Sequence, residues 1–249
     1  MSILNFLWPK QIYKVTDGKD TLSITECGNE RIFKLNDMTC SKISKNSLFT
    51  HNYWDCFIPC AYIFKKPRIL LIGLGGGTTA YQINKLFGSS ATLHMVESSR
   101  KIAELANRFV PGGIKGEVFI ADGGEYVRST HNRYDLIVLD AYYDKKIPEQ
   151  FMKQGFIRNA HKILSESGIM AINFAMTFMG SLAYGTYASE LKSSFMLYKT
   201  SISPLDGNVI LICSKRLTRE QILSMVRENM QVNNENAFLI KRFEELPQA

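Results

Sequence analysis

Four glycines lie within five positions, at Gly73, Gly75, Gly76 and Gly77, between an apolar run and a helical pattern. A ligand can approach the backbone closely only where no Cβ intervenes, and the first turn of a helix offers unpaired N–H donors. The spacing therefore predicts a nucleotide-binding loop, although the motif alone is a weak signal. Thr78 stands where the dinucleotide fingerprint needs a third small residue, so an NAD site is not favoured.

Two carboxylates follow at the ends of the next two predicted strands. Glu97 comes 24 residues after Gly73, where an acid can accept hydrogen bonds from both ribose hydroxyls. Asp122 ends the third strand and would lie beside an adenine amino group, and Gly123 lets the turn close. Ligands of doubly wound sheets bind at the carboxyl ends of the strands. The predicted cofactor-binding residues are Gly73, Gly75, Gly76, Gly77, Glu97, Asp122 and Gly123.

A fourth strand runs through the apolar segment 136–139 into Asp140. This position places Asp140 at the reacting end of a bound nucleotide, which predicts a catalytic base or an electrostatic anchor for an incoming nucleophile. A structural cap of the loop is the alternative interpretation.

These residues require a sheet to position them. Apolar segments alternating with helical patterns predict an α/β fold with a doubly wound, mostly parallel sheet. The five predicted parallel strands are residues 68–72, 92–97, 116–121, 134–140 and 169–174. The segments 198–202 and 209–213 flank a turn sequence at 203–207, which predicts a closing antiparallel hairpin. The predicted helices are residues 48–64, 77–87, 99–109, 123–129, 148–164 and 218–230, the last with a capping box formed by Thr218 and Gln221.

The N-terminal part of the chain has a different pattern. Residues 11–36 alternate and contain two turn signals, which suggests two or three short antiparallel strands. We therefore divide the chain into a small N-terminal β unit at 1–47, the α/β domain at 48–232 and a C-terminal tail at 233–249, for which the sequence offers no interpretation. Residues 1–8 lack the features of a secretory signal and are expected to pack as an arm.

Composition excludes several classes of protein. Apolar residues make up 45% and charged residues 21%, which is typical of a globular domain. The net charge of +7 is scattered along the chain, so neither nucleic acid nor membrane is an expected partner. Five cysteines without a CxxC pair favour a reducing, cytoplasmic compartment and no metal. The uncharged stretch 169–189 contains too many polar residues for a membrane span and predicts a core strand followed by a loop and a helix.

The chain resembles the spermidine synthases, or polyamine aminopropyltransferases, from about residue 11 to about residue 216. The resemblance is strongest to their bacterial spermidine synthase-like branch. The matching segments are residues 69–78, 96–97, 122–123, 133–142 and 147–149. The resemblance implies the class I methyltransferase fold. It also implies binding of S-adenosylmethionine or its decarboxylated form as donor substrate by the glycine loop, Glu97 and Asp122, with Asp140 as the catalytic aspartate. Members of this family are commonly dimers, which implies a homodimer.

The sequence departs from the family at the positions that contact the donor's side chain and the amine. The family's glycine-loop aspartate is Gly76, and the second acid after the fourth strand is Tyr143, with Asp144 one place later. Because Gly76 leaves space and N–H groups for a carboxylate, we expect ordinary S-adenosylmethionine to be favoured. The family's Tyr-His-Glu appears as Tyr53-Trp54-Asp55. The predicted substrate-binding residues are Tyr53, Asp55, Tyr142 and Tyr143, whose rings can face a cation.

The expected function is a spermidine synthase-like transferase that moves an aminopropyl or methyl group to a small amine-type acceptor. The alternative is a non-catalytic S-adenosylmethionine-type nucleotide-binding protein that has lost polyamine synthesis. Turnover with either donor distinguishes the two.

Overall fold

The computed structural model describes residues 9–143, 146–175, 178–201 and 207–244, with the backbone alone at 178–181 and 201. The expected N-terminal arm, Asp144 and most of the turn at 203–207 lie outside the described residues.

The N-terminal unit is an antiparallel sheet with strand order β1-β2-β3-β4. Its strands are β1 (Lys10–Asp17), β2 (Asp20–Cys27), β3 (Glu30–Leu35) and β4 (Met38–Ser44). The turns contain Gly18, Gly28 and Asn36, each with a positive φ between 53° and 61°. The two or three antiparallel strands predicted within residues 11–36 are confirmed as β1, β2 and β3. The fourth strand, β4, lies beyond that range and was not predicted, because it is polar and does not show the alternation used to identify a strand. Its polar groups are instead bonded by the neighbouring glycine loop and helix.

The main sheet has seven strands in the order β10-β11-β9-β8-β5-β6-β7. Its strands are β5 (Arg68–Ile72), β6 (Thr92–Glu97), β7 (Glu117–Ile120), β8 (Tyr134–Leu139), β9 (Leu164–Ala175), β10 (Met196–Ser201) and β11 (Asn208–Ser214). Pairing is parallel from β7 through β9, and β11 is antiparallel to both of its neighbours. The doubly wound, mostly parallel sheet and its closing hairpin are confirmed.

The helices are α1 (Phe57–Tyr62), α2 (Thr78–Phe87), α3 (Arg100–Phe109), α4 (Gly123–Ser129), α5 (Glu149–Met152), α6 (Gln154–Ile163), α7 (Phe178–Lys192), α8 (Arg219–Asn229) and α9 (Ala237–Glu244). The helix predicted at 148–164 is interrupted at Lys153, whose ψ of 146° is extended. The helix predicted at 48–64 is limited to a 3-10 turn, Tyr53–Cys56, and α1. The capping box of Thr218 and Gln221 is confirmed.

Side chains of β5, β8 and β9 alternate between two apolar clusters, one on each face of the sheet. Leu71, Val138 and Ala171 pack on the face covered by α1, α2, α8 and α9. Residues 237–244, which fall in the segment without a sequence interpretation, form α9, and its Leu239 and Phe243 are buried in that cluster. Among the helices that the structure describes, none is both long and apolar enough to cross a membrane.

Candidate active site

A cavity of about 520 Å³ opens at the carboxyl ends of β5, β6, β7, β8 and β9. One wall is the main sheet with the loops that follow its strands. The opposite wall comes from the N-terminal sheet, including the turn between β1 and β2 and residues of β4. The cavity therefore lies between the two units, on the side of the sheet where ligands of this architecture bind.

Two of the four loop glycines lie on the cavity wall, Gly73 and Gly75. Gly73 has a φ of 87°, and a Cβ there would lie 2.4 Å from the carbonyl oxygen of Asp140. The glycine lets the loop after β5 contact the loop after β8, which brings the nucleotide-binding loop beside the predicted base. Gly75 also has a positive φ, 52°, and would place a Cβ 2.9 Å from the Cys40 carbonyl oxygen.

The other two glycines, Gly76 and Gly77, are not among the residues that line the cavity. A Cβ on Gly76 would lie 2.6 Å from Ser41 Cβ, and its N–H already donates to Ser41 Oγ at 2.8 Å. A Cβ on Gly77 would contact Ile114 at 2.8 Å. Both glycines are required by packing, so the argument that Gly76 makes room for the carboxylate of S-adenosylmethionine was wrong.

Thr78, the residue that weakened the dinucleotide fingerprint, attaches the glycine loop to the edge strand β4. Its Oγ1 accepts from Lys42 N at 3.0 Å and donates to Lys42 O at 2.9 Å. This side chain covers an unpaired edge of the small sheet and is itself 1% exposed. The loop and the N-terminal unit are therefore held in a fixed arrangement around the cavity.

Glu97 lies at the end of β6 on the cavity wall and is 7% exposed. Its Oε2 accepts from Leu74 N at 3.1 Å and its Oε1 accepts from Ser99 N at 3.0 Å. The carboxylate thus fixes the glycine loop and the start of α3. Oε1 also accepts from Ser98 Oγ at 3.4 Å, so the remaining capacity for a ribose hydroxyl is on Oε2.

Asp122 also reaches the cavity. Its carboxylate caps α4 through Glu125 N at 3.0 Å and accepts from Gln150 Nε2 at 2.7 Å. Burial raises the pKa of Asp122, but these hydrogen bonds outweigh it and the pKa is lowered overall. Gly123 follows, where a Cβ would lie 2.5 Å from Ile72 Cγ2. The glycine here permits close packing of α4 on β5.

Asp140 lies between the glycine loop and the acceptor side of the cavity. Its Oδ1 accepts from Asn173 Nδ2 at 2.8 Å and its Oδ2 accepts from Tyr53 Oη at 3.4 Å. Burial raises the pKa of Asp140 to about 7, and the two hydrogen bonds oppose that rise. A carboxylate with a pKa near neutrality is suited to accept a proton from a nucleophile.

The remaining predicted substrate-binding tyrosines have different environments. Tyr142 lines the cavity, but its hydroxyl donates to Asn173 O and accepts from Ala175 N, both at 2.8 Å. Tyr143 also lines the cavity and is 51% exposed, with the Lys19 ammonium 5.2 Å from its ring centre. The structure brings Tyr53, Tyr142 and Tyr143 together on one wall.

Asp55 does not lie on that wall, which corrects its assignment as a substrate-binding residue. The side chain is fully buried and accepts from Thr50 N, His51 N and Gln82 Nε2 at 2.6–3.1 Å. Burial raises the pKa of Asp55, opposed by these hydrogen bonds. The carboxylate holds residues 50–51 against the 3-10 turn, which explains why the predicted helix begins late.

The polar cavity residues that the sequence interpretation missed include Asp17, Asp20, Asn173 and Asn208. The two aspartates flank the Gly18 turn. The asparagines interrupt apolar strand sequences, Asn173 near the end of β9 and Asn208 at the start of β11. A polar side chain at an inward position of a buried strand was the available signal.

The charged side chains that line the cavity are all acidic. Its acidic lining residues are Asp17, Asp20, Glu97, Asp122 and Asp140, and no lysine or arginine of the described residues lines it. The protein as a whole carries a net charge of +7. The described residues contain no group of three or more His, Cys, Asp or Glu side chains placed to hold a metal ion. The arrangement favours organic cations over anions.

Comparison with known proteins gives a consistent assignment. Residues 56–180 match the spermine/spermidine synthase domain. A polyamine aminopropyltransferase of Vibrio vulnificus is 31% identical over 172 residues, which cover 66% of this chain and 56% of the relative. The matched segment spans 36–61% of the length of the curated relatives compared.

Solved structures agree on the fold. Spermidine synthase from Thermotoga maritima superposes with a TM-score of 0.71 at 17% identity, covering 94% of this chain and 84% of that one. A spermidine synthase in complex with the transition state analogue AdoDATO superposes with a TM-score of 0.73 at 20% identity, covering 96% and 86%. The chain belongs to the spermine/spermidine synthase family.

Proposed function

We propose that this protein transfers the aminopropyl group of decarboxylated S-adenosylmethionine to a small amine. The observation that carries the proposal is the cavity lining, with five carboxylates and no basic side chain among the described residues. Decarboxylated S-adenosylmethionine and a diamine are both cationic, whereas ordinary S-adenosylmethionine adds a carboxylate that such a lining disfavours. The names of the curated relatives, polyamine aminopropyltransferases, support the same donor and acceptor.

The donor's nucleoside end is assigned to the side of the cavity formed by Glu97 and Asp122. Glu97 faces the ribose hydroxyls and Asp122 lies where it can accept from the adenine amino group, with Gly73 and Gly75 giving the ligand access to the backbone. This placement directs the sulfonium towards Asp140. It rests on the order of the strands, since β6, β5 and β8 bring Glu97, Gly73 and Asp140 to one edge of the sheet.

The reaction is a displacement at carbon. The neutral amine nitrogen of the acceptor attacks the methylene carbon that the sulfonium activates, and a C–N bond forms as the C–S bond breaks. The bonding pair passes to sulfur and leaves a neutral thioether, 5′-methylthioadenosine. Asp140 receives the proton that the new ammonium loses. Holding the nitrogen and the carbon in line is the main contribution of the cavity.

The test compares donors and acceptors in one assay. Purified protein is incubated with a diamine and either donor, and the nucleoside product is identified by chromatography. We expect 5′-methylthioadenosine only with the decarboxylated donor and only when an amine is present. Asp140→Asn is expected to lower kcat/KM by about 10²–10⁴-fold, and Glu104→Ala on the exposed side of α3 is the control.

Two outcomes would overturn the proposal. Formation of S-adenosylhomocysteine with ordinary S-adenosylmethionine would identify a methyltransferase. Tight donor binding without turnover of either donor would identify a nucleotide-binding protein. The homodimer implied by the family resemblance stays a prediction, and light scattering of the purified protein checks it.

A further inference from the structure

Asp140, Asn173 and Asn208 form a polar row across three neighbouring strands. On the α1 side of the sheet, Val138 pairs with Ala171, and these residues are buried and apolar. Asp140 and Asn173 take the next inward places after them. Asn208 lies at the start of β11, opposite Ala175 and diagonal to Asn173. An apolar face thus changes to hydrogen-bonding side chains where the strands reach the cavity.

The hydrogen bonds among these three side chains all point the same way, from Asn208 through Asn173 to Asp140. Asn208 Nδ2 donates to Asn173 Oδ1 at 2.8 Å, and Asn173 Nδ2 donates to Asp140 Oδ1 at 2.8 Å. A carboxamide has a donor end and an acceptor end, so the partner of one end decides what the other end presents. Asn173 is 2% exposed, and its amide is therefore controlled by protein neighbours.

We propose that Asn208 is a positioning residue for the base. By donating to Asn173 Oδ1, it keeps the Asn173 N–H directed at Asp140 and prevents the amide oxygen from facing the carboxylate. Asp140 Oδ1 is then held in place, and Oδ2, whose hydrogen bond from Tyr53 is long at 3.4 Å, is left to receive the proton of the amine. This inference rests on the proposed function, since it takes Asp140 as the proton acceptor.

The backbone around Asn173 is fixed independently of Asn208. The Tyr142 hydroxyl donates to Asn173 O and accepts from Ala175 N, both at 2.8 Å. The ladder between β9 and β11 continues through Ala175. Replacing the Asn208 side chain therefore frees the Asn173 amide to turn without freeing the strand that carries it.

The test replaces the donor and measures the titration of Asp140 directly. Asn208→Leu has a similar size and no N–H, and Asn208→Ser keeps a donor. The protein is labelled with ¹³C at aspartate carboxyl carbons, and the Asp140 signal is assigned by its loss in Asp140→Asn. In Asn208→Leu we expect the Asp140 titration midpoint to rise by about one pH unit, because a hydrogen bond to the ionised form is lost. In Asn208→Ser the rise is expected to be smaller.

Steady-state kinetics provide a second readout. In Asn208→Leu the kcat at neutral pH is expected to fall by about 3–10-fold, with the acidic limb of the profile moved upward and the donor KM unchanged. Thr200→Val, which removes a buried hydroxyl of β10 without a hydrogen-bond partner among the described residues, is the matched control. This control tests whether removing any polar group from this sheet has the same effect. We expect it to change neither the Asp140 titration midpoint nor kcat.

The two readouts separate the possible failures. An unchanged midpoint in Asn208→Leu, or an equal change in Thr200→Val, rejects the positioning role even in an active enzyme. If the midpoint is raised in Asn208→Leu but the wild-type protein transfers no aminopropyl group, the proposed function is rejected and the hydrogen-bond relay remains supported. If Asn208→Leu does not fold, Asn208→Ala, which also lacks a side-chain donor, takes its place, and an unchanged Asp140 midpoint in that variant contradicts the inference.

Discussion

The N–H of Gly76 donates a 2.8 Å hydrogen bond to Ser41 Oγ, which attaches the nucleotide-binding loop to the edge strand of the N-terminal sheet. A Cβ at position 76 would lie 2.6 Å from Ser41 Cβ and 2.8 Å from Phe33 Cβ. The family's aspartate at this position has no room here.

This contact makes Gly76 a stability determinant. Gly76→Ala is expected to lower the free energy of unfolding by about 1–3 kcal/mol through overpacking, as measured by urea denaturation. Gly185→Ala in α7 is the control, since no atom of the described part of the chain lies within 4 Å of a Cβ there. That variant is expected to gain about 0.5–1 kcal/mol, as alanine is the better helix former. Equal stability of Gly76→Ala and wild type would contradict the packing.

Asp140 links function to a cost in stability. Its folded pKa of about 7 is above its ordinary value, so the folded state holds the proton more tightly. The contribution of Asp140 to stability is therefore complete below its ordinary pKa and is lost as the pH rises from there to about 7. Asp140→Asn lacks this loss, so at pH 5 we expect the variant to be only modestly more stable than wild type. At pH 8 the variant should be more stable by about 1–3 kcal/mol, allowing for solvent that reaches the cavity.

Calorimetric melts at the two pH values check this difference. The same titration predicts that the transfer rate of the wild type rises with pH through about 7, as Asp140 ionises. If the difference in stability between Asp140→Asn and wild type is the same at both pH values, folding does not raise the pKa of Asp140.

Asp55 is expected to act on folding alone. Asp55→Ala leaves the N–H groups of Thr50 and His51 without their acceptor, and the expected loss is about 2–4 kcal/mol of unfolding free energy. At a temperature where the variant remains folded, the KM for the amine should stay within about twofold of wild type, because Asp55 does not line the cavity. A selective increase in that KM would restore the substrate-binding role.

Asp17 is expected to contribute to recognition of the amine. Asp17→Asn removes one carboxylate at the exposed part of the lining, and we expect the acceptor KM to rise by about 2–5-fold at low salt, in line with an exposed ion pair. Added salt should reduce the difference between the variant and wild type. Asp37→Asn changes an exposed acid on the neighbouring turn outside the lining and is expected to leave the KM unchanged.

The local sequence determined the main sheet and the residues at its functional edge. Buried parallel strands need continuous apolar runs, so β5, β6, β8 and β9 could be located. Glu97, the last residue of β6, and Asp140, the residue after β8, could therefore be assigned to one edge of the sheet. The capping box at the start of α8 could also be predicted, because it depends on two residues only three positions apart, Thr218 and Gln221. These features depend on neighbours along the chain.

Tertiary structure alone decided which side chains face the cavity. Gly76 and Asp55 have residue types suited to ligand binding. Gly76 is instead bonded to Ser41, 35 residues away, and Asp55 to Gln82, 27 residues away, so both have a structural role. Asn173 and Asn208 are ordinary strand residues until β9 and β11 pair and align them with Asp140. A residue's type limits the chemistry that it can perform, whereas its partners across the fold determine whether it meets the substrate.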